Sequence, residues 1–137
     1  MTPAELFATA RVARLATVGA DGAPHLVPIV FAVAGEVIWS AVDAKPKRHR
    51  RLRRLDNIAR EPRVSVLADH YDEDWDRLWW VRADGDASVH EFSAAGLAAL
   101  TARYPQYRAA APPGPFLRIA VRRWSSWSAL SSDPGTG

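Results

Sequence analysis

Leu117, Ile119 and Val121 alternate with Arg118, Arg122 and Arg123, so Phe116 to Trp124 reads as a strand with one dry face. Arg63 to Ala68 returns to the same alternation, and Val12 to Val18 favours a strand as well. Gly19, Ala20, Asp21 and Gly22 tolerate positive φ and join that strand as a hairpin to a second one, His25 to Val33. A tight turn at Ala34 and Gly35 leads into a third, Glu36 to Val42, rich in β-branched and aromatic residues. Pro28 removes a ladder donor, which places it at an edge, a bulge or a point where a ligand approaches. Leu78 to Ala83 and Asp86 to Glu91 suggest a further hairpin around Gly85.

Between Lys47 and Arg60 the period changes. Leu52, Leu55, Ile58 and Ala59 recur at helical spacing with arginines on the other faces, predicting a basic amphipathic helix that Pro62 stops. Thr2, Pro3 and Glu5 have the form of a capping box for a short helix to about Ala10. Ser93 can cap another to Tyr104, followed by a proline-rich connection from Ala109 to Pro115. The resulting order is three strands, a helix, three strands, a helix and a final strand. Short hairpins without a repeated strand-helix-strand unit favour an antiparallel barrel, closed or nearly so, over a parallel sheet.

A length of 137 residues suits one domain, and 48% hydrophobic with 24% charged residues is a globular balance. Residues 1–130 are expected to form that domain and 131–137 a loose tail. No run of about 18 apolar residues is free of charge, and the N-terminus has no basic-then-apolar leader, so the expected address is the cytoplasm without a membrane span. The absence of cysteine excludes disulfides, thiol chemistry and cysteine-ligated zinc.

Charge sharpens the picture locally. Seven of the 18 basic residues fall between Lys45 and Arg54, including both lysines of the chain, just past a strand and at the start of a helix. Lysine point charges, an arginine fork and free amides at a helix start suit a phosphate group; a solvated basic helix face is the plainer alternative. Asp69, Asp72, Glu73, Asp74 and Asp76 form an opposing acidic run. With His70 it alternates oxygen and nitrogen ligands, but it lacks the glycine and terminal glutamate of a calcium loop, so a solvated loop or a contact with the basic helix is favoured. The four histidines show no ligand spacing, and no serine or histidine sits in a nucleophile setting.

The run from Arg11 to Leu67, with its strand Val12 to Val18, its turn Asp21-Gly22-Ala23-Pro24, its strand Leu26 to Phe31 and its close Asn57 to Leu67, resembles the pyridoxamine-phosphate-oxidase-like superfamily. It is most similar to actinobacterial members classed as coenzyme F420 (deazaflavin) dependent oxidoreductases. Asp69 to Trp75 followed by Leu78-Trp79-Trp80-Val81-Arg82 is similar to one small subgroup of that class. The resemblance implies a mainly β chain with flanking helices, an antiparallel split β-barrel of the FMN-binding type. It also implies a homodimer, with the cofactor in a groove at the subunit interface. Carried over by position, Pro28, Ile29 and Val30 lie beside the cofactor ring, Ser40, Ala41 and Val42 border it, and Lys47 takes the phosphate. Flavin-binding relatives tend to have a serine two residues before that lysine, where this chain has Lys45. The added cation, with Arg48 and Arg51, suits a more anionic ligand, and F420 carries a phosphodiester and a glutamate tail. For Trp79 and Trp80, stacking on the cofactor competes with core packing; Trp124 and Trp127, following the last strand, would cover the partner's groove or pack.

The expectation is therefore an oxidoreductase transferring hydride between F420, or alternatively FMN, and a small organic substrate, with no side chain assigned as an obligate acid or base. Two rivals stand beside it. One is a non-catalytic carrier of flavin, F420 or haem; the other is a nucleic-acid-binding module built on the basic helix, for which no further motif speaks.

Overall fold

The computed structural model describes residues 1–42 and 52–129. Helix α1 (Pro3–Ala8) begins with the expected reciprocal cap: Glu5 N–H donates to Thr2 Oγ1 at 3.1 Å and Thr2 N–H to the Glu5 carboxylate at 2.8 Å. Strands β1 (Ala13–Val18), β2 (Pro24–Ile29), β3 (Ala32–Ala34) and β4 (Val37–Ala41) follow, then helix α2 (Arg53–Arg60). Strands β5 (Arg63–His70) and β6 (Trp79–His90), helices α3 (Ala94–Arg103) and α4 (Pro105–Ala109), and strand β7 (Phe116–Ser128) complete the chain. The strands form one antiparallel seven-stranded sheet in the order β2-β1-β5-β6-β7-β4-β3. With helices at its flanks, it is the curled sheet of a split β-barrel.

Three features differ from the pattern-based expectation. The stretch from His25 to Val33 is two strands, and β2 and β3 occupy opposite edges of the sheet. Val30 and Phe31 carry the chain across, so the sheet curls until its edges are joined by this corner. Side chains satisfy the backbone there: Ser40 Oγ donates to the Val30 carbonyl at 2.7 Å, and Tyr104 Oη bonds both the N–H and the C=O of Phe31 at 2.9 Å.

The second correction concerns Gly85. There is no hairpin; β6 runs through, and its register with β7 shifts between Asp84 and Gly85, where Arg122 of β7 is the extra residue of a bulge. A Cβ on Gly85 would lie 2.3 Å from the Ala120 carbonyl oxygen, so the glycine permits a close backbone approach between β6 and β7. The final strand is also longer than its alternation indicated and contains both Trp124 and Trp127. Of the expected basic helix, Arg53–Arg60 is helical, and its earlier part lies outside the described residues.

Alternation sorts the strands into two cores. Leu15, Val66, Val81, Ala83, Ile38 and Ile119 fill the curl, all wholly buried. Phe7 of α1 closes one side edge-on to Phe31 and Trp124, with ring centroids 4.9 and 5.3 Å away. Leu55 and Ile58 of α2 enter the same core. On the other face of β4, Trp39 and Ala41 pack with Leu100, Tyr107 and Phe116 beneath α3 and α4.

Candidate functional site: an open groove on the outer sheet face

Cross-strand partners share a face, so the register builds the outer surface row by row. Leu26, Ala16, Ser65 and Asp84 stand opposite one another across β2, β1, β5 and β6. The next row is Pro28, Arg14, Leu67 and Arg82, and the one beyond it is Asp69, Trp80 and Trp127. These rows border an open groove of about 500 Å³ lined by Arg14, Ala16, Leu26, Ser65, Leu67, Asp69, Trp80 and Arg82. Its floor is apolar because Ala16, Leu26, Leu67 and Trp80 sit on the face opposite the core; Leu26 is 66% exposed.

The rim is ionic. Arg14 Nη1 meets Asp69 Oδ1 at 3.2 Å, and Arg82 lies over the Trp80 ring with its guanidinium carbon 5.9 Å from the centroid. Asp84 accepts from Ser65 Oγ at 2.5 Å and pairs with Arg82 Nε at 3.3 Å and Arg123 Nη2 at 3.4 Å. Burial opposes ionisation of Asp84, but the Ser65 hydroxyl and the two guanidinium groups outweigh it and hold the carboxyl below its ordinary value. Further along the face, Arg122 Nε pairs with Asp86 at 3.0 Å.

The sequence-derived site residues divide. Pro28 is exposed in the edge strand β2, in the same row as Arg14 of the groove. Val30 is 37% exposed at the corner where the sheet edges join. Ile29 turns into the core, and Ser40 is buried with its hydroxyl engaged by Val30. Ala41 is enclosed beneath α3 and α4; half-buried Val42 donates its N–H to the Pro115 carbonyl at 3.0 Å. Trp79 is half-buried at the start of β6, stacked on His70 with ring centroids 6.4 Å apart. Lys45, Lys47, Arg48 and Arg51 lie outside the described residues. Pro28 thus turns outward beside the groove and Val30 is partly exposed at the corner, while Ile29, Ser40 and Ala41 are buried.

Sequence reasoning passed over Arg14, Ser65, Leu67, Arg82 and Asp84. The available signal was the complement of the core alternation: Leu26 and Leu67 are apolar residues on the outward phase of their strands. Among the described residues, no group of three histidine, aspartate or glutamate side chains is placed to hold a metal ion. Within the acidic run, Asp72 and Asp74 accept the backbone N–H groups of Asp74 and Asp76, respectively.

Solved structures share this fold. A conserved hypothetical protein of Mycobacterium tuberculosis is 28% identical, with a TM-score of 0.74 over 98% of this chain and 89% of its own. An FAD-binding protein of Mesorhizobium loti is 21% identical, with a TM-score of 0.65 over 89% of this chain and 88% of its own. The heme storage protein HutZ of Vibrio cholerae is 16% identical, with a TM-score of 0.69 over 90% of this chain and 89% of its own. No curated protein matches the sequence. Residues 3–128, nearly the whole barrel, match the pyridoxamine 5'-phosphate oxidase family, and the chain belongs to that family.

Proposed function

We propose that this chain is an oxidoreductase that transfers hydride to or from a small organic substrate through coenzyme F420, with FMN as the alternative cofactor. The observation that carries the reading is the groove itself. A flat ring system finds an apolar floor at Ala16, Leu26, Leu67 and Trp80, between the guanidinium groups of Arg14 and Arg82 and alongside Pro28. The residues present suit such a group: ring contacts from Pro28 and Val30, and cations at Lys45, Lys47, Arg48 and Arg51 for a phosphodiester and a carboxylate tail.

When bound, the cofactor supplies the hydride chemistry. The protein binds, orients and dries the reacting pair. A groove open on one side excludes water only if something covers it, and Leu26 and Val18 of these strands, with Val12 just before β1, leave apolar surface exposed. A second copy of the chain is the cover proposed here, which makes the working unit a homodimer. No described helix is long and apolar enough to cross a membrane.

A carrier reading has one observation in its favour, the fold shared with the heme storage protein of Vibrio cholerae. Stopped-flow reoxidation separates the two. An oxidoreductase accelerates the reaction of reduced F420 or FMN with an organic acceptor, whereas a carrier binds cofactor and leaves the rate unchanged.

A further inference from the structure

Strands β5, β6 and β7 end or begin together at His70, Trp79 and Ser128, which stand opposite one another. Asp69, Trp80 and Trp127 form the adjacent row, turned to the other face. With Tyr71 and Leu78 just beyond the strand ends, these residues border an open recess of about 380 Å³. That volume suits a small molecule.

His70 is held on two sides. Its ring stacks on Trp79 with an interplanar angle of 22°, and its Nε2 lies 3.3 Å from Asp72 Oδ2. The Asp72 carboxyl is held below its ordinary value, first by the Asp74 N–H and then, against a burial cost, by His70 and Arg77. An ionised Asp72 takes an N–H from Nε2, leaving Nδ1 for a ligand. In the neutral ring Nδ1 accepts a hydrogen bond; in the imidazolium it donates one.

We propose that this recess binds a flat aromatic ligand bearing one polar substituent, the ring against the indoles of Trp80 and Trp127 and the substituent at Nδ1 of His70. Indole faces favour a flat partner, and the histidine supplies the single directional contact. The recess shares Asp69 and Trp80 with the groove, so its role as the substrate side of the cofactor site rests on the hydride-transfer reading. As a binding site it stands on its own geometry.

The test is made on nitrogen-15-labelled protein without cofactor, following the indole N–H signals of the six tryptophans. The probes are acetophenone, whose polar group only accepts, and indole, whose N–H only donates. Both should shift the signals of Trp80 and Trp127 and leave those of buried Trp39 and half-buried Trp124 in place. Cyclohexyl methyl ketone, the saturated counterpart of acetophenone, should bind about fivefold more weakly. His70→Leu, which removes both ring nitrogens, should weaken indole by about threefold, the scale of one solvent-exposed hydrogen bond.

The variant retains Asp69 in the recess and Asp72 and Arg77 beside it. Unchanged indole affinity in the variant would overturn the role of His70. Unmoved Trp80 and Trp127 signals, or equal binding of the saturated ketone, would overturn the site. Neither result bears on whether the groove takes F420, which a cofactor titration reads separately.

Discussion

Asn57 of α2 donates from Nδ2 to Oγ1 of Thr17 on β1 at 2.9 Å, and both residues are almost wholly buried. This bond seats the helix that follows the basic segment against the strand that forms one wall of the groove. Removing one partner leaves the other buried and unsatisfied. Asn57→Ala should therefore cost about 2 kcal/mol and Thr17→Val about 1 kcal/mol, with the double variant costing less than their sum. Urea denaturation of the three variants checks this; strict additivity would mean that the bond contributes nothing of its own.

Gly85→Ala should destabilise the protein by about 2 kcal/mol or more, because the added methyl meets the Ala120 carbonyl oxygen, a backbone atom that moves only with the β7 strand. Gly22→Ala is an informative contrast. Gly22 has a φ of 84° but open space around it, so strain alone should cost about 1 kcal/mol there. Thermal melts that rank the two the other way would remove the close strand approach as the reason for the glycine.

The Asp84 carboxyl is held low by Ser65, Arg82 and Arg123 despite burial, so its ionisation stabilises the fold above the unfolded pKa. That contribution is lost as pH falls through the depressed folded value. Wild type should exceed Asp84→Asn in stability by about 1 kcal/mol at neutral pH, after allowance for screening, and the gap should close in acid, as pH falls below the ordinary aspartate range. Denaturation midpoints across that range read it directly; a gap that persists in acid would indicate lost packing instead.

Lys47→Ala should weaken F420 binding by about 1.5 to 3 kcal/mol, the scale of a charge-assisted hydrogen bond to phosphate, and leave the melting temperature nearly unchanged. Unchanged affinity in a folded variant removes Lys47 from the site.

The elements written in adjacent residues were legible in the sequence. The capping box at Thr2 and Glu5, the Ser93 cap and the alternation of β5 and β7 depend on neighbours a few positions away, and the structure reproduces them. Pro28, read as an edge, bulge or ligand approach, lies in an edge strand. What escaped depends on distant partners. The break between β2 and β3 is set by Ser40 and Tyr104, and the meaning of Gly85 by Ala120. The groove was hidden for the same reason: alternation assigns Arg14, Leu67 and Arg82 to an outward face, but only strand register makes them neighbours.

The central claim is a deazaflavin site with anionic reach, and parallel titrations of the purified protein with F420 and FMN test it most directly. Lys45 and the arginines after it add positive charge beyond what one phosphate monoester uses, so separated carboxylates should gain more from them. F420 should bind more tightly than FMN at low salt, and the preference should shrink as ionic strength rises and when Arg48 or Arg51 is neutralised. Equal affinities, or an FMN preference at low salt, would contradict the account.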